Sequence, residues 1–177
     1  MHDLLLITPS RIGDHRGYFE ETYSRRHYTD LGIEAEFVQD NYSISNAFGT
    51  LRGLHFQAPP HAQIKLVRCG RGAIFDVAVD IRRSSPTFGG WVGETLSSEN
   101  KKQLWVPPGF AHGFLTLEEN CEIFYKTSNY YSFEHDVSLA YFDKKLKIDL
   151  PCSLNEMTMS NKDINASMLE EIGEVFK

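Results

Sequence analysis

Short runs of alternating apolar and polar residues dominate the chain. Residues 73–81, AIFDVAVDI, place Ala73, Phe75, Val77, Val79 and Ile81 on one face of an extended strand, and Ile74, Asp76, Ala78 and Asp80 on the other. QIKLVRC (63–69) precedes them, and GRG (70–72) lies between, so the two runs read as a hairpin. Similar patterning predicts strands over 4–8, 18–23, 36–45, 50–57, 90–97, 103–106, 113–117, 121–128 and 138–142. Turn-forming stretches such as SSPTFGG and VPPGF separate several of them. Helix is scarce. A short one is expected over 24–31, and a second near the C-terminus, where Asn165 or Ser167 would cap MLEEIGEVF. Many short strands punctuated by Gly and Pro predict an all-β sandwich or barrel rather than an α/β fold.

Length and composition narrow the choices. The 177 residues contain no low-complexity stretch, fixed-period repeat or linker, so one domain over 1–177 is expected, large enough for a core without disulfides or a structural metal. A net charge of −6 argues against a nucleic-acid binder or a membrane-surface protein. An anionic ligand would require a local basic cluster. Cys69, Cys121 and Cys152 are widely spaced and form no CxxC, which predicts reduced thiols in a cytoplasmic protein. The apolar run Leu4–Ile7 is too short for a signal peptide, and no run approaches the roughly 20 residues of a membrane span.

Chemistry concentrates in GTLRGLHFQAPP, residues 49–60. By strict alternation Leu51, Gly53, His55 and Gln57 share one face, and Arg52, Leu54 and Phe56 the other. Lys65 and Tyr125 lie on strands whose faces can meet that of His55 inside a barrel. An imidazole, an ammonium and a phenol among apolar groups suit proton transfer: the histidine as base, the tyrosine as acid, the lysine stabilising a developing oxyanion. Singly, each has a plainer explanation, since strand histidines and tyrosines serve packing too. The lysine is the hardest to explain that way, because burying an unpaired ammonium is costly.

A metal site is a competing reading. His55, His61 and His112 are possible ligands for Fe, Zn or Mn, with Gln57, Gln63 or a carboxylate completing the shell. PPGFAH (107–112) resembles the second cupin motif. In the first motif Gly49 and His55 fit, but Gln57 stands where a second histidine belongs, and the glutamate expected later is replaced by His61 or Ala62. The cupin barrel survives this comparison better than its metal shell. Neither GRG nor FGG has the strand–loop–helix context of a phosphate-binding turn, which leaves Arg16, Arg52 and Lys65 as candidate phosphate contacts.

Several segments occurring in order carry a more specific resemblance: DHRGYFEETY (14–23), FVQDNYSIS (37–45), LRGLHFQ (51–57), KLVRCGRGAIFDVAVDIRRSSPTFGGW (65–91), QLWVPPGFAHGF (103–114), YKTSNYY (125–131) and SNKD (160–163). Together they resemble the dTDP-4-dehydrorhamnose 3,5-epimerase family over about residues 4–170. The resemblance implies a cupin-type jelly roll without metal or other cofactor, assembled as a homodimer and acting on a dTDP-sugar. It implies that His55 is the general base, Asp163 its partner, Tyr125 the proton donor on the opposite sugar face, and Lys65 the cation near the C4 oxygen. Tyr131 would stack on thymine. Arg16, Glu21, Gln39, Asp40, Asn41, Arg52, His112, Asp136 and Lys162 would contact the nucleotide sugar, with Arg16 and Arg52 offsetting the diphosphate. The implied reaction removes protons from C3 and C5, both flanking the C4 ketone, through an enolate. It involves no redox change and so calls for no nicotinamide or flavin.

Two segments depart from the family pattern. LAYFD (139–143) has Tyr141, Phe142 and Asp143 where Trp-Asn-Asp is common, and IDLP (148–151) has Leu150 where tryptophan is common. Both are expected to affect packing or a subunit surface. Arg52 falls on the wrong face from His55 by strict alternation, so either Gly53 marks a bulge or Arg52 reaches a neighbouring subunit. The alternatives to double epimerisation are epimerisation at one carbon, action on another 4-keto nucleotide sugar, a metal-dependent cupin and a non-catalytic sugar-nucleotide binder.

Overall fold

The computed structural model describes residues 3–176. Two five-stranded antiparallel sheets face each other. The first contains β1 (Leu5–Ile7), β9 (Gln103–Val106), β6 (Lys65–Arg71), β11 (Cys121–Thr127) and β4 (Gln39–Ser45), in that order across the sheet. The second contains β12 (Asp136–Ser138), β5 (Leu51–Gln57), β10 (Phe110–Thr116), β7 (Ala73–Asp80) and β8 (Trp91–Ser97). A separate hairpin pairs β2 (Arg11–Asp14) with β3 (Gly17–Glu20). The fold is the all-β cupin-like sandwich that the strand patterning predicts. Among the described residues no helix is long and apolar enough to cross a membrane.

Alternation explains how the layers pack. On β7, Ile74 and Ala78 point between the sheets, where they meet Val67, Leu104 and Ile123 of the first sheet. Val77 and Val79 point the other way, into a second cluster with Leu51, Leu54, Phe56 and Leu115. That outer cluster is closed by the C-terminal part of the chain, including Leu139, Tyr141, Leu146 and Leu169. Each large apolar side chain buried there contributes about 1.5–3 kcal/mol. A third cluster covers the outer face of the first sheet, where Tyr28 of α1 (Arg25–Asp30) packs with Leu66 and Trp105.

The C-terminal helix expected over MLEEIGEVF does not form. Residues 168–176 run through turns and a bridge between Phe176 and Arg82. Gly173 sits at φ +73°, and Leu169, Ile172, Val175 and Phe176 pack into or against the outer cluster from an irregular path. Tertiary burial overrides helix propensity here. A shorter helix, α2 (Asn161–Ile164), forms just upstream instead. Of the residues that depart from the family pattern, Tyr141 and Leu150 pack in or against the outer cluster. Asp143 accepts backbone hydrogen bonds from Lys145 and Leu169, at 2.9 and 2.8 Å. Their contacts are those of packing residues.

Candidate active site

The parity problem at Arg52 is resolved by a bulge. Where β5 runs beside β10, His55 pairs with His112 but Arg52 pairs with Phe114, so β5 carries an extra residue at Gly53–Leu54. Gly53 has φ +123°, and a Cβ there would lie 2.6 Å from the Gly113 Cα and 2.8 Å from the His112 carbonyl oxygen. Only glycine fits. Beyond the bulge Leu54 and Phe56 turn outward to the apolar cluster, while Arg52 and His55 line one cavity of about 440 Å³ between the sheets. Arg52 therefore reaches the cavity of its own chain. It is held there by Ser45 Oγ and the Ile44 carbonyl, each 3.1 Å away.

His55 Nε2 lies 2.6 Å from Asp163 Oδ1. Asp163 is buried on α2, where Ser160 caps the helix: its Oγ accepts from the Asp163 N–H at 3.2 Å and donates to Asp163 Oδ2 at 2.8 Å. Burial pushes the Asp163 carboxyl up, but hydrogen bonds from His55, Ser160 and the Gly53 backbone outweigh it and hold the group below its ordinary value. It is thus a carboxylate at neutral pH, and an acceptor only, which places the His55 proton on Nε2 and leaves Nδ1 unprotonated in the neutral ring.

Lys65 and Tyr125 come from the first sheet and line the same cavity. Lys65 Nζ donates to the His55 carbonyl at 3.3 Å. Burial lowers its pKa to about 8, with Asp136 and Asp76 pulling the other way. Burial raises the Tyr125 phenol, and Arg52 partly offsets this, so the phenol keeps its proton at neutral pH. A second lobe of about 150 Å³ shares His55, Lys65 and Tyr125 with the first and adds Gln39, Asn41, Tyr131, Asp136 and Lys162. Within it Gln39 Nε2 donates to Asn41 Oδ1 at 2.7 Å. Tyr131 donates to Asp136 at 2.9 Å, and Lys162 bonds the same carboxylate oxygen. His112 lines the larger lobe and bonds Asp76.

Three expected contact residues lie outside both lobes. Arg16 sits in the turn of the β2–β3 hairpin, paired with Asp14 at 2.6 Å. Glu21 follows that hairpin and pairs with His27 at 2.7 Å. Asp40 alternates with Gln39 and Asn41, faces away from the sandwich interior and pairs with Lys126 at 2.7 Å. The three histidines of the metal reading are not brought together either: His61 packs against His135 with ring centroids 4.5 Å apart and the rings tilted, away from both lobes. Gln57, in place of a metal cupin's histidine, accepts from the Ser132 N–H at 2.8 Å. Among the described residues no three His, Cys, Asp or Glu side chains form a metal-holding group.

Residues 1–171 match the model of the family described as dTDP-4-dehydrorhamnose 3,5-epimerase. The chain belongs to that family. It is 51% identical to the dTDP-4-dehydrorhamnose 3,5-epimerase of Shigella flexneri over 164 residues, 92% of this chain and 89% of the relative. It is likewise 51% identical to the Salmonella typhimurium enzyme of that name, over 96% of this chain and 92% of the relative. Among solved structures, the dTDP-6-deoxy-D-glucose-3,5-epimerase of Legionella pneumophila, in complex with dTDP-4-keto-L-rhamnose, superposes with a TM-score of 0.93 at 47% identity, covering 97% of this chain and 90% of that one.

Two features of this epimerase-family site were not singled out as functional from the sequence. Ser160 fixes the helix that carries Asp163, and the S-x-x-D spacing of SNKD is a readable capping signal. Asp76 lies between Ile74 and Ala78 on the interior face of β7, and a carboxylate flanked by apolar residues on a buried strand face is itself a signal.

Proposed function

We propose that this chain epimerises dTDP-4-keto-6-deoxy-D-glucose at C3 and C5, giving dTDP-4-keto-L-rhamnose by general acid–base catalysis. The observation that carries the mechanism is the placement of base and acid on opposite sheets: His55, paired with Asp163, on the second, and the protonated Tyr125 on the first. The C4 ketone acidifies the protons on C3 and C5. His55 Nδ1 takes one of them, the C–H electron pair moves into the C–C bond, and the carbonyl pair moves to the C4 oxygen. The Lys65 ammonium stabilises the resulting enolate. Tyr125 then delivers a proton to the opposite face, which inverts the carbon. His55 gives up its proton and Tyr125 regains one before the cycle repeats at the second carbon.

The second lobe suits the nucleotide. Tyr131 offers a flat face for thymine, and Arg52 and Lys162 supply positive charge for the diphosphate at either end of the cavity. Homodimer assembly belongs to the same reading. Arg16 and Glu21 lie outside the cavity of their own chain, and the hairpin that carries Arg16 exposes Ile12, Tyr18 and Phe19 at 72, 53 and 66%. A second copy of the chain would cover those residues and bring Arg16 to a nucleotide. The free, buried Cys69 and Cys121 fit a reducing cytoplasm.

The deciding experiment is incubation with dTDP-4-keto-6-deoxy-D-glucose in deuterated water, followed by NMR at C3 and C5. Deuterium at both carbons with inversion is expected. Deuterium at one carbon would make the chain a monoepimerase, and none at either would overturn the epimerase reading.

A further inference from the structure

The carboxylate behind the base has a second side-chain partner that the mechanism above does not use. Asp163 turns Oδ1 to His55 and Oδ2 to Ser160, whose Oγ donates to it at 2.8 Å. The same Oγ accepts from the Asp163 N–H at 3.2 Å. Both ends of the hydroxyl are therefore committed: a lone pair caps α2, and the proton faces the carboxylate. The backbone beneath it is held as well. Two residues upstream, Thr158 bridges Thr50 beside the start of β5, donating to the Gly49 carbonyl and accepting from the Leu51 N–H, each at 2.9 Å. The segment that ends in Ser160 is thus laced to the strand that carries His55.

This placement matters because the Asp163 side chain is only 4% exposed. Burial opposes a carboxylate there, and donors from His55, Ser160 and the Gly53 backbone outweigh it. Among the described residues His55 is the only titratable side chain that bonds Asp163. Lys162, its neighbour on α2, is turned to Asp136 of β12, and Lys65 of β6 donates to the His55 carbonyl. The Ser160 hydroxyl is the one neutral side chain that supports the charge.

We infer that Ser160 is a positioning residue for the epimerisation: its hydroxyl occupies Oδ2 of Asp163, so that Oδ1 alone meets His55 Nε2 and the carboxylate orients the base without competing for its proton. A carboxylate stripped of that donor is free to rotate and more basic, and the pair then holds its proton too tightly for Nδ1 to accept one from the sugar. The inference rests on the epimerase reading. A wild-type chain that exchanges no deuterium would defeat that reading, whereas an active chain indifferent to Ser160 would defeat this inference alone.

The test compares Ser160→Ala, Ser160→Gly and Ser160→Thr. Glycine is a serviceable N-cap without a hydroxyl, so Ser160→Gly separates capping from donation to Oδ2. The acidic limb of kcat/KM belongs to the His55–Asp163 pair as a unit. In Ser160→Ala and Ser160→Gly alike it should move up by about one pH unit, with a fall of roughly tenfold along its slope. Ser160→Thr keeps the hydroxyl and should bring the limb back toward its wild-type position. A limb unmoved in both Ser160→Ala and Ser160→Gly would overturn the inference. So would a wild-type profile in Ser160→Gly beside an impaired Ser160→Ala, which would leave the cap as the whole role. A raised KM with the limb unmoved would count against it too, by putting the hydroxyl on the substrate. Should the variants fail to fold, neutron diffraction from the deuterium-exchanged wild type decides. A deuteron between Ser160 Oγ and Asp163 Oδ2 is expected, and a hydroxyl turned to the cavity would overturn the assignment.

Discussion

Nε2 of His55 lies 2.6 Å from Oδ1 of Asp163, a residue 108 positions further along the chain. Asp163→Asn should slow deuterium exchange at both sugar carbons by about 10²-fold or more, because the ring loses its fixed tautomer and the counter-charge for its protonated form. The same change should lower stability near neutral pH by about 1–3 kcal/mol. The Asp163 carboxyl titrates below its ordinary value of 3.8, so its contribution is complete above that value and disappears as pH falls through the lower folded one. Urea unfolding at a series of pH values should therefore show wild type and variant converging in acid.

Tyr125→Phe separates the two halves of the reaction. Removing the phenol oxygen leaves His55 able to take and return a proton on one face. The variant should wash deuterium into the substrate while inversion falls by about 10²–10⁴-fold. The ratio of exchange to inversion, followed by NMR, checks this. Undiminished inversion would place the acid elsewhere.

Lys65 sets the basic limb of the pH profile. Its pKa is lowered to about 8 by burial, so the ammonium is lost there rather than near 10.5. The kcat/KM profile should fall through about pH 8. The folded chain releases this proton more readily than the unfolded one, so the group costs stability below pH 8, and that cost is relieved as pH rises toward 10.5. Lys65→Met should stabilise the protein at pH 7 by about 1–3 kcal/mol while removing most of the turnover. Thermal unfolding and steady-state rates on one preparation would show both effects.

Gly53→Ala should be among the most damaging one-methyl changes in the chain. The added carbon meets backbone at 2.6 Å, and φ is +123°, so neither the neighbour nor the residue can yield cheaply. A loss of about 2–4 kcal/mol is expected, read as a lower urea midpoint at constant m. Fully folded variant at low temperature should still be slow, because Arg52 and His55 share a cavity only through the bulge.

Much of this architecture could be read from residue order. β7 alternates as its sequence does, and β9 spans the predicted 103–106. His55, Lys65, Tyr125 and Asp163 meet where the family resemblance leads one to look. What escaped the sequence has physical reasons. Strict alternation puts Arg52 on the wrong face, and Gly53 offers a bulge as one of two ways out; a period-two pattern cannot choose between a bulge and a neighbouring subunit, and the register of β5 on β10 chooses the bulge. MLEEIGEVF has helical spacing, yet Gly173 and an apolar surface waiting beneath it impose an irregular path. The first strand of the β2–β3 hairpin was missed because Arg11–Asp14 is exposed throughout and carries no inward face to detect.

The late position of Asp163 has a consequence for synthesis of the protein. All twelve strands of the described residues precede it in the chain, yet His55 has no carboxylate partner until α2 has been made and laid against β5. A nascent chain ending at Ser138 would contain every strand of the described barrel and only the histidine of the dyad. The dyad is thus completed only by the segment after β12, which also closes the outer apolar face.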